Sequence, residues 1–160
     1  MKLILLAILP LAALIIGRGY SVYVDRRIAE CEELCELLIH IRARVGCFLS
    51  PVSEMLSDFH SDRLSELGFV REVCDGRGLS EAYENIAPRL SVSEEVRRVI
   101  GGFFESFGRG YRDETLSEID YARESLEKIL ERERVELDKS VRLTRSILLL
   151  VSVGLIILLI

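Results

Sequence analysis

Two apolar runs without a single charged residue, 3–16 and 147–160, sit at opposite ends of the chain and constrain it more than any other feature. Each is a membrane candidate, yet a helix of this length rises only about 21 Å against a hydrocarbon layer of about 30 Å. Each must therefore recruit its neighbours. Tyr20, Val22, Tyr23 and Val24 can extend the first while Arg18 snorkels; Val141, Leu143 and Thr144 can extend the second while Arg142 and Arg145 do the same. The organisation expected is an N-terminal transmembrane anchor over 1–20, a soluble helical bundle over 21–145 and a C-terminal membrane segment over 146–160. Lys2 followed by a short apolar stretch also has the shape of a cleaved signal peptide. No clean small-x-small site follows it, because Gly17 and Gly19 flank Arg18, which favours a retained anchor.

Basic residues next to the runs predict orientation. Lys2 stands on one side; Arg18, Arg26, Arg27, Lys139, Arg142 and Arg145 stand on the other. By the positive-inside rule the body between the runs is cytoplasmic and the whole is held at a membrane lipid surface. Lys2 is the only charge in 1–17 and 147–160, so the remainder carries 20 basic and 26 acidic side chains, a net of −6. That sign argues against nucleic acid as a partner.

From Val24 the apolar positions Ile28, Cys31, Leu34, Cys35, Leu38, Ile41 and Val45 recur every three or four residues, so a first long helix continues past the apolar run to a stop near Gly46. Ser50-Pro51 reads as a helix start, with the hydroxyl as cap and proline at the first helical position. A third helix is expected over about 63–74, closed by Asp75-Gly76-Arg77-Gly78, and a fourth from Leu79 or Ser80 to just before Pro88. Ser91 with Glu94 forms a capping-box pattern ahead of Val96, Val99, Ile100, Phe103, Phe104 and Phe107, a helical face expected at the core centre. A last helix starts near Asp113, with the apolar stripe Leu116, Ile119, Ala122, Leu126, Ile129, Leu130, Leu137 and Val141 leading into the second run. Period-two alternation is absent. The fold class is all α: a membrane-anchored antiparallel helical bundle with two long terminal helices and short central ones.

Catalytic chemistry finds no support. Neither Gly-Lys-Ser nor Gly-Lys-Thr occurs, so no P-loop and no nucleotide cofactor are expected. His40 and His60 have no Ser or Cys at a motif spacing that suggests a nucleophile. Cys31, Cys35, Cys47 and Cys74 form no Cys-x-x-Cys pair and read as small reduced apolar side chains; Cys31 and Cys35 share a helical face that the histidines could complete into a zinc shell, the less favoured reading. Gly-Arg-Gly occurs at 17–19, 76–78 and 108–110 with unrelated flanks, and all three read as helix breaks. Residues 112–138 hold ten acidic and five basic side chains, a solvated face or a docking surface for a basic partner.

The order of these features resembles the stage III sporulation AB protein family of endospore-forming bacteria. The resemblance runs over essentially the whole chain and rests on Ser50-Pro51-Val52, Gly78-Leu79-Ser80-Glu81-Ala82 and the turn Phe107-Gly108-Arg109-Gly110 between an N-terminal anchor and a long helix into an apolar tail. Family members usually carry Ser-Asp after that turn and a Gln a few residues on; Gly110-Tyr111 and Thr115 stand there, so no role of that Gln passes to this chain. The resemblance implies a place in the channel apparatus between mother cell and forespore, in the mother-cell membrane around the forespore, beside other stage III sporulation A-type membrane proteins. It also implies a soluble domain similar to the cytoplasmic domain of the platform protein of type II secretion and type IV pilus systems, hence a cytoplasmic secretion-type ATPase as partner. The expected function is a non-enzymatic platform or scaffold, with Arg109, Arg112, Asp113 and Glu114 at the turn as candidate partner contacts. The rival expectation is a membrane-anchored signalling or regulatory protein working through a coiled-coil stalk without an ATPase.

Overall fold

A computed structural model describes residues 2–47 and 51–159, with side chains described for 15, 17–45, 51–144, 146–151, 153 and 154. Among the described residues there is no strand. Seven α-helices follow in order: α1 (Lys2–Cys47), α2 (Val52–Ser57), α3 (Asp62–Glu66), α4 (Phe69–Cys74), α5 (Leu79–Ile86), α6 (Glu94–Ser106) and α7 (Arg112–Leu159), with a 3₁₀ turn at Ala87–Arg89 after α5. The chain divides into two compact units, one made of residues 1–26 with 132–160 and the other of 27–131.

In the unit 27–131, α1 contributes the inward stripe Cys31, Leu34, Cys35, Leu37, Leu38 and Ile41, and α7 contributes Ile119, Ala122, Leu126, Ile129 and Leu130. The short helices complete the core. α2 packs on α4 and α5 on α6, and four aromatic rings meet at the centre. Phe104 stacks on Phe69 at 5.8 Å, takes the edge of Tyr83 at 5.4 Å and touches Phe103 at 5.4 Å. Such pairs contribute about 0.5–1.5 kcal/mol each beyond the area they bury. Val96, Ile100, Phe103 and Phe104 of the expected α6 face are buried, while Val99 and Phe107 are half-buried.

Several expectations change. The helix anticipated over 63–74 is two helices, because Gly68 adopts φ +88° between α3 and α4, a left-handed conformation that glycine alone reaches without steric cost. α6 is capped by Ser93 and not by Ser91, because the helix begins at Glu94 and the Ser93 hydroxyl accepts from the Val96 N–H at 3.4 Å. α2 starts after Pro51, which stands at its N-cap position, and the expected Ser50 cap lies outside the described residues. Of the three Gly-Arg-Gly sequences, that at 17–19 lies inside α1 and breaks nothing. A glycine costs a helix only about 1 kcal/mol, which a long helix absorbs; in the other two, Gly76 at φ +96° and Gly108 at φ +82° make the turn.

In the unit of the two ends, Gly17 is buried, and a Cβ built there would lie 3.7 Å from Leu148 Cδ1, so α1 and α7 pack together at this level. The Ser21 hydroxyl donates to the Gly17 carbonyl at 3.1 Å. Large apolar side chains are exposed here, among them Ile15, Val22, Leu143, Ile147, Leu149, Leu150 and Val153. Among the described residues no helix is long and apolar enough to cross a membrane. The spans expected over 1–20 and 146–160 fall largely on side chains outside those described, as does Arg145.

Candidate functional site

Two glutamates of α1 tie it to the central elements, Glu30 to the segment ahead of α6 and Glu33 to the start of α3. Glu30 is fully buried and accepts hydrogen bonds from the Ser91 N–H, two residues ahead of the α6 cap, and from the Arg63 guanidinium at 3.3 Å. Glu33, one turn on, accepts from the Ser61 hydroxyl and from the N–H groups of Arg63 and Leu64, at 3.1 and 3.2 Å to one carboxylate oxygen. A carboxylate facing the N–H groups of the first turn of α3 both satisfies orphan donors and opposes the helix dipole. Neither residue was singled out in the sequence. Glu30 does lie on the Leu34, Leu37, Ile41 stripe at four- and three-residue steps, and an acid on an inward stripe was the available signal.

Arg97 extends the same scheme by donating to the Leu90 carbonyl at 2.6 Å. On the far side, α7 is tied to α1 by a two-pronged ion pair, Arg42 to Asp120 at 2.6 and 3.1 Å. The hydrogen bond and charge of Arg42 hold the Asp120 carboxyl below its ordinary range.

Arg109, Arg112, Asp113 and Glu114 are all exposed and lie together at the α6–α7 turn. Gly108 makes the turn, and Asp113 and Glu114 occupy the first turn of α7, where negative charge is favourable. The Glu114 carboxylate folds back over Gly110, so close that a Cβ there would sit 2.6 Å from its Oε2. Glu114 also lines a groove of about 590 Å³ between α6 and α7, whose apolar side is Val99, Phe103 and Ala122 and whose α7 wall includes Glu118 and Tyr121. Ser106 Oγ lies 3.1 Å from both the Phe103 carbonyl and Glu118 Oε2. Tyr121 in this wall is 73% exposed, and Tyr111, one residue ahead of α7, is 88% exposed. The arrangement suits binding rather than catalysis: charge at the rim and an apolar floor.

The basic residues expected beside a membrane are distributed as follows. Arg18, Arg26, Lys139 and Arg142 are exposed and Arg27 is half-buried; Arg142 pairs with Asp138 at 2.8 Å. His40 Nε2 lies 2.7 Å from the Met55 carbonyl and its ring packs on Phe59, while His60 Nδ1 lies 2.9 Å from the Asp58 carbonyl. Both histidines are thus engaged in local structure. Among the described residues no group of three or more His, Cys, Asp or Glu side chains is placed to hold a metal ion; Cys31 and Cys35 are buried thiols, and the Cys47 side chain lies outside the described residues.

Comparison with curated proteins and with solved structures returned no match. The family described as stage III sporulation protein AB matches residues 2–160, the turn at 107–110 and both apolar runs included, and the chain belongs to that family.

Proposed function

We propose that, within stage III of sporulation, this chain is a non-enzymatic membrane platform: an antiparallel helical bundle anchored at both ends, with a cytoplasmic body that docks a secretion-type ATPase of the same apparatus. Membership of the family places the chain in stage III sporulation; the ATPase, the other stage III sporulation A-type membrane proteins as neighbours and the mother-cell membrane around the forespore belong to the proposal. The observation that carries it is the α6–α7 corner, where Arg109, Arg112, Asp113 and Glu114 stand exposed beside a groove with an apolar floor. A flexible loop would transmit little force. This corner is carried by α6, whose Ile100, Phe103 and Phe104 are buried in the core, and by α7, which Asp120 ties to Arg42 of α1, which suits a surface that receives work.

The anchoring half of the proposal is supported by exposed Ile15, Val22, Leu143, Ile147, Leu149 and Leu150 in the unit of the two ends. Large apolar side chains exposed in such number are what lipid or a protein partner would cover. The stalk alternative draws less support, since Ile119, Ala122, Leu126, Ile129 and Leu130 of α7 are buried in the chain's own core and are not free to form a homodimer seam.

The test is co-purification of the ATPase with full-length protein from membranes. Asp113→Lys with Glu114→Lys should reduce recovery of the ATPase at least tenfold at unchanged protein level. Undiminished recovery would remove the corner as the dock, and periodic cysteine crosslinks between copies along 120–138 would favour the stalk.

A further inference from the structure

α6 carries two adjacent glycines, Gly101 and Gly102, in its middle turn, and nothing within the chain calls for them. Neither has a positive φ. A Cβ at Gly101 would lie 3.7 Å from Tyr83 Cε1, an ordinary contact, and one at Gly102 would have nothing within 4 Å, so alanine fits at both and would make the better helix. What glycine does permit is the close approach of a second backbone. Gly102 is exposed and borders the groove of about 590 Å³ floored by Val99 and Phe103. The charges around the glycines are placed symmetrically about them. Arg98 stands three residues before Gly101 and Glu105 three after Gly102; Glu94 stands seven before, and Arg109, just past the end of α6, seven after. Steps of three and seven share one helix face, and all four charged side chains are exposed. Glu94 reaches Arg97 of its own helix only at 3.9 Å. At each distance from the glycines the two members have opposite sign.

We propose that this ridge of α6 packs against the same ridge of a second copy of the chain, the two helices antiparallel and crossing at Gly101-Gly102. Reversal sets Arg98 of each copy opposite Glu105 of the other and Arg109 opposite Glu94, so each pair forms twice, as a two-fold interface requires. A parallel arrangement would set Arg98 on Arg98 and Glu105 on Glu105. A uniformly basic or acidic partner would meet one favourable and one unfavourable charge on either side of the glycines, so a second copy is the occupant that the charges select. The pairing goes beyond the ATPase reading and does not depend on it, since Asp113 and Glu114 of α7 take no part.

The experiment is sedimentation equilibrium of the full-length protein in density-matched detergent, with the dimer dissociation constant as readout. Arg98→Glu and Glu105→Arg, each alone, should weaken self-association at least tenfold by placing like charges opposite one another. Mixed in equal amounts, the two variants should recover it as a heterodimer, because every facing pair is then of opposite sign. Gly102→Leu should also weaken it at least tenfold while its thermal midpoint stays level or rises, which separates a blocked crossing from a folding defect. Asp113→Lys with Glu114→Lys should leave the dimer intact, so the dock and the pairing fail independently. A wild-type protein that stays monomeric up to millimolar concentration would overturn the proposal, as would a dimer indifferent to Gly102→Leu and to both charge reversals, or a mixture of the two charge variants that associates no better than either alone.

Discussion

Glu30→Ala should be the most damaging single polar substitution in the body. The carboxylate is fully buried, and it accepts from the Ser91 N–H and from the Arg63 guanidinium at 3.3 Å. Deleting one partner of a buried ion pair costs about 3–5 kcal/mol, because the remaining charge stays desolvated. Arg63 is partly relieved, since its other arm holds Glu66 at 2.5 Å and its side chain is 26% exposed, which moves the expectation to the lower end, about 3 kcal/mol. Against a total of about 5–15 kcal/mol for a domain, that is a large share. Glu30→Gln keeps an acceptor for the Ser91 N–H and loses only the charge, so about 1–2 kcal/mol is expected. Glu33→Ala removes the acceptor at the start of α3 and should cost about 1–2 kcal/mol. The assay is urea unfolding combined with hydrogen exchange, in which peptides covering Ser91 and the first turn of α6 lose protection in Glu30→Ala before those of α2. Pairing Glu30→Leu with Arg63→Leu should recover part of the loss, as apolar replacement of both partners does elsewhere. A cost below about 1 kcal/mol for Glu30→Ala, or equal costs for Ala and Gln, would refute the reasoning that a buried charge holds α6 in place.

Phe104→Ala, at the meeting point of Phe69, Tyr83 and Phe103, should cost about 3–5 kcal/mol in urea unfolding, and half-buried Phe107→Ala clearly less. Gly68→Ala must hold alanine at φ +88° and should cost about 1–2 kcal/mol, whereas Gly102→Ala, in mid-helix with open space around its Cβ, should raise the thermal midpoint. The Asp120 carboxyl is held below its ordinary value by Arg42, so its contribution is present above pH about 4 and disappears as pH falls through the lower folded value. The stability difference between wild type and Arg42→Ala, measured by urea midpoint, should accordingly close below pH 4. Burial pushes the Tyr83 phenol up to about 12. The unfolded state then releases its proton first, stability should fall between about pH 10 and 12, and Tyr83→Phe should lack that loss.

Much of the helical body was legible from spacing alone. Cys31, Leu34, Leu38 and Ile41 in α1, Ile100, Phe103 and Phe104 in α6, and Ile119, Ala122 and Leu126 in α7 are buried, because a 3.6-residue repeat is a property of neighbours along one helix. The exposed turn at Arg109 to Glu114 was legible for the same reason, as a glycine pair between two periodic segments. The α6 cap is Ser93 and not Ser91, since both serines precede the apolar face and spacing alone did not fix which of them stands next to the helix start at Glu94.

What the amino-acid order determined by itself was the all-helical class, the two uncharged apolar ends and the inward face of each long helix, all consequences of contacts within four residues. What only the tertiary structure decided was the burial of Glu30, the split at Gly68, the continuity of α1 through Gly17-Arg18-Gly19 and the groove between α6 and α7. Each of these depends on partners distant in sequence, and a periodicity cannot say which distant donor will meet a carboxylate or which helix will close over a tyrosine.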